Sequence, residues 1–176
     1  MHEKLPKHQQ RQIKIFVDAA FEFNKTHNIF SRKTKEEVYE KDVLECLSLC
    51  KNIQENKTVL DIGSGGGFPG VILSIMKPKN TISLVESSNK KCYFLRKIKH
   101  HLSLENINVI NQKLVKKNNL GLFDIITARA FASTHKILEL TQNNTHKTTK
   151  YLLMKGKEST TNKELKDIDN KRYKYE

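Results

Sequence analysis

A glycine-rich turn is the segment of this sequence whose residue types and spacing best suit ligand binding. It comprises the ten residues 61–70, Asp-Ile-Gly-Ser-Gly-Gly-Gly-Phe-Pro-Gly, and it continues a short apolar run at 58–62. Glycines that follow a buried strand let a ligand approach the backbone closely. In open parallel sheets, ligands bind at the carboxyl ends of the strands. The turn therefore predicts a cofactor site.

Two cofactors compete for this turn. The spacing Gly65-x-Gly67-x-x-Gly70 satisfies the dinucleotide pattern, in which a pyrophosphate binds at a helix N-terminus. Asp61 argues against a dinucleotide because a carboxylate repels a pyrophosphate, and Pro69 removes one backbone donor. S-adenosylmethionine suits the acid better, since it carries an ammonium and a sulfonium and no phosphate. We expect S-adenosylmethionine; an NAD-dependent oxidoreductase and a tight turn without a ligand remain the alternatives.

A second acid, Glu86, ends the next predicted strand. At this position a carboxylate accepts hydrogen bonds from ribose hydroxyls. Because both cofactors contain a ribose, Glu86 does not discriminate between them. With Asp61 and the glycines of the turn, among them Gly65, it completes the cofactor contacts that the residues themselves predict.

Short buried-strand patterns alternate with helical patterns from about residue 57 onward. This alternation predicts parallel βαβ units in a doubly wound α/β sheet. The charged segment 158–176 is predicted to be a frayed helix or tail. The predicted strands cover 58–62, 81–86, 107–110, 123–128 and 151–155, and the predicted helices cover 70–76, 88–102 and 133–142.

Two further helices are predicted ahead of the sheet. Apolar residues follow a helical period over about 7–27, and a second apolar face covers 35–52. Thr34 and Glu37 have the spacing of a capping box at the start of the second helix. The predicted organisation is a helical extension at 1–56 followed by an α/β domain at 57–176.

The charge balance favours a polyanionic partner. The chain of 176 residues contains 32 Lys and Arg against 19 Asp and Glu, a formal net charge of +13. Cations that neutralise phosphates release counterions, which favours nucleic-acid binding, although the excess of Lys over Arg also fits an AT-rich coding bias. Basic residues crowd the predicted helix 88–102, and Lys155 ends the last predicted strand at the ligand-bearing edge. That helix carries Lys90, Lys91, Arg96, Lys97, Lys99, His100 and His101.

The short apolar runs and the cysteine spacing exclude a membrane-spanning protein, a zinc protein and a disulfide-stabilised protein. No apolar run approaches the roughly 18–20 residues that cross a bilayer, and the polar N-terminus does not match a secretory signal. Cys46, Cys50 and Cys92 lack the spacing of a zinc site and form no disulfide framework, so we expect buried apolar thiols. We expect a cytoplasmic monomer without metal or membrane association.

Four segments together resemble a known family. The Phe68-Pro69-Gly70 ending of the turn is much more specific than its glycines, and the segments 84–95, 123–133 and 153–156 agree in order and spacing. They are similar to RsmG, also called GidB, the bacterial small-subunit rRNA guanine-N7 methyltransferases. The resemblance covers about residues 10–160 and implies a class I, Rossmann-like methyltransferase fold with an N-terminal helical extension.

The resemblance also implies an activity and a set of site residues. The activity is methyl transfer from S-adenosylmethionine to N7 of one specific guanosine of 16S rRNA, as free rRNA or in the small ribosomal subunit. Family binding positions map onto Gly63, onto Phe68 in the methionine pocket, and onto Leu114 and Val115 beside the adenine. Arg129 would bind the cofactor carboxylate or a substrate phosphate. No catalytic base is implied, and Arg129 and Lys155 are the expected substrate contacts.

The sequence departs from the family pattern in three places. Leu114-Val115-Lys116-Lys117 stands where the family has an acidic pair. Lys41-Asp42 and Glu45-Cys46 replace its Arg-His and Asp-Ser. The family continues past the fifth strand into a helix and two strands, whereas this sequence ends at Glu176. The alternative expectation is therefore a truncated, catalytically impaired relative that lacks the last strand pair and only binds RNA.

Overall fold

Five parallel strands form the centre of the molecule in the computed structural model, which describes residues 5–156, 158–166 and 168. The strand order is β3-β2-β1-β4-β5, so the chain reverses direction across the sheet between β1 and β4. A ligand crevice is expected at the carboxyl ends of these two strands. The strands are β1 (Thr58–Ile62), β2 (Thr81–Glu86), β3 (Ile107–Asn111), β4 (Phe123–Arg129) and β5 (Thr145–Met154).

Helices cover both faces of the sheet, which is why β1 and β2 are buried along almost their whole length. A five-residue π-helical segment, Tyr39–Val43, joins two of these helices, and a 3₁₀ turn, Gln142–Asn144, precedes β5. The helices are α1 (Lys7–His27), α2 (Lys35–Val38), α3 (Leu44–Cys50), α4 (Gly70–Met76), α5 (Asn89–His101), α6 (Thr134–Thr141) and α7 (Glu158–Lys166). Within the described residues, no helix has the length and apolarity to span a membrane.

The helical extension packs directly on the sheet domain. On α1, Phe16 contacts the Phe68 ring with 4.8 Å between centroids, and Phe23 stacks on Phe94 of α5 at 4.9 Å. The Gln12 side chain donates to the carbonyl oxygen of Leu102, beyond the end of α5. Helix α1 therefore runs antiparallel to α5, and the segment after it lies near the carboxyl ends of the strands. The domain boundary at residue 57 stays a prediction.

The predicted α/β sheet and its parallel strands are confirmed, with one boundary wrong. β5 begins at Thr145, whereas the sequence pattern predicted a start at 151. The added residues, 145–150, are polar, but Thr145 pairs with Phe123 across a register shift and Thr149 donates to the Phe123 carbonyl oxygen. Backbone pairing at the edge of a sheet does not require apolar side chains, so the hydropathy pattern missed them.

Two other expectations are confirmed with added detail. Thr34 caps α2 as predicted, because its hydroxyl accepts the Glu37 N–H at 3.1 Å, and the Glu37 carboxylate accepts the Lys33 N–H at 2.8 Å. The predicted helix 35–52 is helical to Cys50, but the π-helical segment interrupts it. Cys46, Cys50 and Cys92 are buried free thiols, and burial raises the pKa of Cys50 to about 12. Of the segment 158–176, helix α7 and Ile168 fall within the described residues.

Asp61 and Gly70 hold the glycine turn against the sheet. The Gly70 N–H donates to Oδ2 of Asp61 at 3.2 Å, and a Cβ on Gly70 would collide with that carboxylate and with Leu84. Oδ1 of Asp61 is buried and has no hydrogen-bond partner among the described residues. Burial raises the pKa of the Asp61 carboxyl from 3.8 to about 7, although the Gly70 hydrogen bond and Arg129 oppose this effect.

Replacing Asp61 with Asn should change how stability depends on pH. A carboxyl whose pKa rises from 3.8 to about 7 on folding favours the folded state most at low pH. Its contribution is lost as the pH rises through about 7. Because of Asp61, the unfolding free energy of the wild type should fall by about 2–3 kcal/mol between about pH 5 and about pH 8. Asp61→Asn should not show this fall. Urea unfolding at the two pH values measures this difference.

Asp18→Asn is the matched control for this measurement. Asp18 lies on α1 in ion pairs with Lys14 and Lys35, which lower its pKa, so it does not titrate in this pH window. Its variant should keep the wild-type pH dependence. If Asp61→Asn also kept it, Asp61 would be ionised in the folded state across this range.

Candidate functional site

A cleft of about 570 Å³ opens at the carboxyl ends of β1, β4 and β5. This volume lies within the roughly 300–1,000 Å³ of ordinary ligand pockets. The glycine turn forms one wall, and the residues after β4 and β5 form the next. The third wall belongs to the helical extension and consists of the segment 29–32, which follows α1, together with Asp42 and Glu45. The cleft therefore lies at the reversal of strand order, between the sheet and the extension.

The glycine turn is fastened to β2 by its own backbone. The N–H groups of Gly63 and Ser64 donate to the Val85 carbonyl oxygen at 2.8 and 3.2 Å. Gly63 has a φ of +66°, and a Cβ there would collide with the Phe131 ring, which packs directly on it. Only glycine meets both requirements at position 63. At this position the turn thus presents backbone, rather than a side chain, to the cleft.

Glu86 fixes the other end of the turn. It is buried, and its carboxylate accepts the Gly65 N–H at 3.0 Å and the Ser88 N–H at 2.8 Å. The Ser87 hydroxyl donates to it as well, at 3.4 Å. A carboxylate has about four lone-pair sites, so these three bonds leave capacity for a ribose hydroxyl. Sequence reasoning assigned Glu86 to a ligand, and the structure adds that it also holds the backbone of the turn.

Phe68 and Arg129 meet inside the cleft. Phe68 is buried between the rings of Phe16 and Phe30, and the Arg129 guanidinium lies 5.2 Å from the Phe68 ring centroid. A cation over an aromatic face is stabilised by the ring quadrupole. Both residues line the cleft together with Gly63 and Gly65. Four of the predicted cofactor residues are thus brought to one place.

Asp42 is a buried acid that the sequence patterns did not assign to the site. Its side chain is 1% exposed and accepts two hydrogen bonds from Arg32, from Nε at 3.1 Å and from Nη2 at 3.0 Å. Arg129 donates from Nη1 to the same carboxylate. The π-helical segment carries Asp42, and π-helical geometry is frequent at functional sites. The Lys41-Asp42 departure from the family pattern was the only sequence signal for this contact.

Lys155 lines the cleft but is already paired. Its Nζ donates to the Ala132 carbonyl oxygen and to Glu164 of α7, each at 2.8 Å. Glu164 also accepts the N–H and the hydroxyl of Thr134. These hydrogen bonds, led by the one from Lys155, lower the pKa of Glu164 to about 2. Lys155 therefore fastens α7 beside the cleft, and its role as a substrate contact stays a prediction.

Four predicted cofactor residues do not line the cleft: Leu114, Val115, Asp61 and Glu86. Leu114 follows β3 and packs in an apolar cluster with Ile62 and Val85, whereas Val115 is 47% exposed. Asp61 lies beneath the glycine turn and does not line the cleft. Leu114 and Val115 are on the β2–β3 side of the turn, the side to which Glu86 also belongs. Their contact with an adenine stays a prediction.

The residues present fit S-adenosylmethionine. The turn exposes backbone next to the buried, unpartnered Oδ1 of Asp61, an acceptor that suits an ammonium. Glu86 can accept ribose hydroxyls on the other side of the turn. Within residues 5–156, 158–166 and 168, no group of three or more His, Cys, Asp and Glu side chains could hold a metal ion.

Comparison with solved structures identifies the fold. An O-methyltransferase from Bacillus cereus, in complex with SAH, superposes with a TM-score of 0.60 at 14% identity, over 79% of this chain and 65% of that chain. Coclaurine N-methyltransferase, also with SAH, gives a TM-score of 0.59 at 16% identity, over 86% of this chain and 52% of that chain. The fold is that of a class I S-adenosylmethionine-dependent methyltransferase, and the expected cofactor class is confirmed.

Comparison with sequences identifies the family. A protein from Ruthia magnifica subsp. Calyptogena magnifica, named ribosomal RNA small subunit methyltransferase G, is 35% identical over 156 residues. One of the same name from Francisella tularensis subsp. novicida (strain U112) is 39% identical over 136 residues. These alignments cover 89% and 77% of this chain, and 76% and 65% of the two relatives. The family model for rRNA small subunit methyltransferase G matches residues 9–175. The chain belongs to the rRNA small subunit methyltransferase G (GidB) family.

Proposed function

We propose that this chain transfers a methyl group from S-adenosylmethionine to N7 of one guanosine of 16S rRNA, as a monomer in the cytoplasm. The observation that carries the proposal is the meeting of the glycine turn and the guanidinium groups of Arg32 and Arg129 in a single cleft. The turn suits the cofactor, and the guanidinium groups suit a phosphate-bearing substrate. Family membership supports rRNA as the substrate class.

The cofactor is held by groups on both sides of the turn. When bound, S-adenosylmethionine supplies an electrophilic methyl group. We propose that Gly63 and Gly65 admit its methionine part beside Phe68, with the Asp61 carboxylate below. Glu86 accepts the ribose hydroxyls, and Leu114 and Val115 flank the adenine. Because burial holds the Asp61 pKa near 7, an approaching ammonium would favour the ionised form of this carboxyl.

The chemistry at N7 needs alignment rather than a base. The N7 lone pair lies in the plane of guanine and carries no proton, so the residues of the cleft have only to place it behind the methyl carbon. Orientation of this kind can supply roughly 7–11 kcal/mol at best. Methylation at N7 would place a positive charge on the purine ring. The Glu45 carboxylate lines the cleft and can stabilise the charge there.

The proposal predicts methylation of unmodified RNA at one position. The purified chain, incubated with radiolabelled S-adenosylmethionine and 16S rRNA or small subunits from cells lacking the modification, should incorporate label. Borohydride and aniline should then cleave the RNA at one guanosine, because N7-methylguanosine is labile to this treatment. RNA already methylated in cells is the matched control and should take up none.

The outcomes separate the alternatives. Label at N7 of one guanosine supports the proposed reaction. Cofactor binding by a folded chain without any label would contradict it and would favour a non-catalytic RNA-binding relative. Label on another atom or on many guanosines would contradict the proposed specificity. Comparing free rRNA with subunits identifies the preferred substrate, and light scattering tests the monomer.

RNA binding should depend on the first turn of α5. Lys90 is exposed, and Lys91 lines the cleft. Replacing both with Ala should weaken RNA binding and reduce the slope of log K against log salt by about 1.4, since each phosphate contact with a single strand contributes about 0.7. Fluorescence anisotropy over a range of salt concentrations measures the slope.

Lys7→Ala with Arg11→Ala is the matched control. These exposed residues lie at the start of α1, near the end of α5 that is distant from the cleft. The control removes the same charge and should leave the slope nearly unchanged. Equal slopes for both double variants would remove Lys90 and Lys91 from the RNA surface.

A further inference from the structure

Two arginines from different parts of the chain share one buried carboxylate at the cleft. Arg32 lies between α1 and α2, and Arg129 ends β4, 97 positions further along the sequence. Asp42 is 1% exposed, whereas the side chains of Arg32 and Arg129 are 32% and 20% exposed. The arginines thus lie between the buried acid and the open cleft, which all three residues line.

The charge of this group is not balanced. One carboxylate faces two guanidinium groups, so the three side chains together carry a net charge of +1. The lining of the whole cleft has the same excess of one positive charge, with four cationic and three acidic side chains. The cationic ones are Arg32, Lys91, Arg129 and Lys155, and the acidic ones are Asp42, Glu45 and Glu164. Partly buried charge of one sign is costly unless it is paired. An anion in the cleft would complete the balance.

The guanidinium groups also retain unused donors. Arg32 binds Asp42 through Nε and Nη2, and Arg129 binds it through Nη1. Within the described residues, no hydrogen bond uses Nη1 of Arg32 or Nη2 of Arg129. A guanidinium held on one side by a carboxylate has its remaining N–H groups in fixed directions, so two such groups form a rigid receptor for an oxyanion.

We propose that Arg32 and Arg129, oriented by Asp42, bind a phosphodiester of the RNA strand that carries the target guanosine. This inference rests on the proposed function and deepens it, because it gives the two arginines one common ligand, a single phosphodiester. It assigns substrate binding to Arg32 and positioning to Asp42. Neither residue is part of the predicted cofactor set.

The charge of the ligand favours RNA over the cofactor carboxylate. S-adenosylmethionine carries an ammonium and a sulfonium against one carboxylate, so it enters the cleft as a net cation. The bound cofactor would therefore leave the excess positive charge of the cleft uncompensated. A phosphodiester contributes the missing negative charge, and Arg32, the more exposed arginine, lies where a polymer backbone can reach it.

The helical extension supplies half of this receptor. Asp42 belongs to the π-helical segment Tyr39–Val43. Val38, just before the segment, and Val43, its last residue, are fully buried in the core shared with α1 and α4. Packing therefore fixes the position of the carboxylate, and the carboxylate fixes both guanidinium groups. The extension and the sheet have to be assembled before the receptor exists.

Arg32→Gln tests the substrate contact. It should weaken binding of a 16S rRNA fragment containing the target guanosine by about tenfold, which corresponds to one charged hydrogen-bonding contact. The slope of log K against log salt should fall by about 0.7. S-adenosylmethionine affinity, measured by calorimetry, should change by less than about twofold. Arg11→Gln, an exposed arginine on α1, is the matched control and should leave all three values unchanged.

Asp42→Asn separates positioning from simple attraction. Loss of a negative charge from a basic cleft should strengthen RNA binding if only net charge matters. If Asp42 orients the two arginines, RNA binding should weaken by about fivefold or more despite the gain in positive charge. Thermal unfolding identifies a misfolded variant. If Asp42→Asn is misfolded, Arg32→Lys tests the inference instead. Lysine keeps the positive charge but lacks the planar set of N–H donors of the guanidinium group, so it should recover little of the RNA affinity lost in Arg32→Gln.

Each remaining outcome overturns the inference. An unchanged salt slope in Arg32→Gln would remove Arg32 from the RNA contact. Stronger RNA binding by folded Asp42→Asn would reduce the role of Asp42 to net charge. Loss of S-adenosylmethionine binding in Arg32→Gln would assign the site to the cofactor carboxylate. Wild-type methylation in the same experiments tests the proposed function separately, since that activity can be present while any of these results appears.

Discussion

The hydrogen bonds from the glycine turn to the end of β2 are the interaction on which the site depends. Gly63 and Ser64 donate to the Val85 carbonyl oxygen, and Gly65 donates to the Glu86 carboxylate. These bonds fold the chain sharply between β1 and α4, so that backbone faces the cleft. Phe68, at the far end of the turn, is thereby placed below Arg129. Without this fold, the wall that the turn forms would not face the other two walls of the cleft.

The parallel sheet then determines what surrounds the turn. Because all five strands have their carboxyl ends at the same edge, residues distant in sequence, such as Glu86, Arg129 and Lys155, come together there. The helical extension closes the arrangement from one side through Phe16 and Asp42. Helix α7 adds Glu164 from another side. The site is therefore a property of the whole chain rather than of one motif.

Local patterns predicted the parts that depend on local physics. The turn, the buried strands and the capping box at Thr34 each follow from spacing and residue type within a few positions. The polar half of β5 was missed because its pairing depends on the neighbouring strand rather than on its own hydropathy. The partners of Asp42 and Lys155 were missed for a related reason. Ion pairs between residues as far apart as 42 and 129 leave no periodic signal in a sequence.

The three cysteines have a consequence for chemical reactivity. Cys46, Cys50 and Cys92 are the only thiols in the sequence, all are buried, and burial raises the pKa of each. A thiol reacts as its thiolate, so these side chains are poor nucleophiles at neutral pH. The wild-type chain should therefore react only slowly with thiol-alkylating dyes. A cysteine introduced at an exposed position on the rim of the cleft would be labelled in preference to the three buried cysteines. Its label would report the approach of RNA, and none of the native cysteines would have to be replaced.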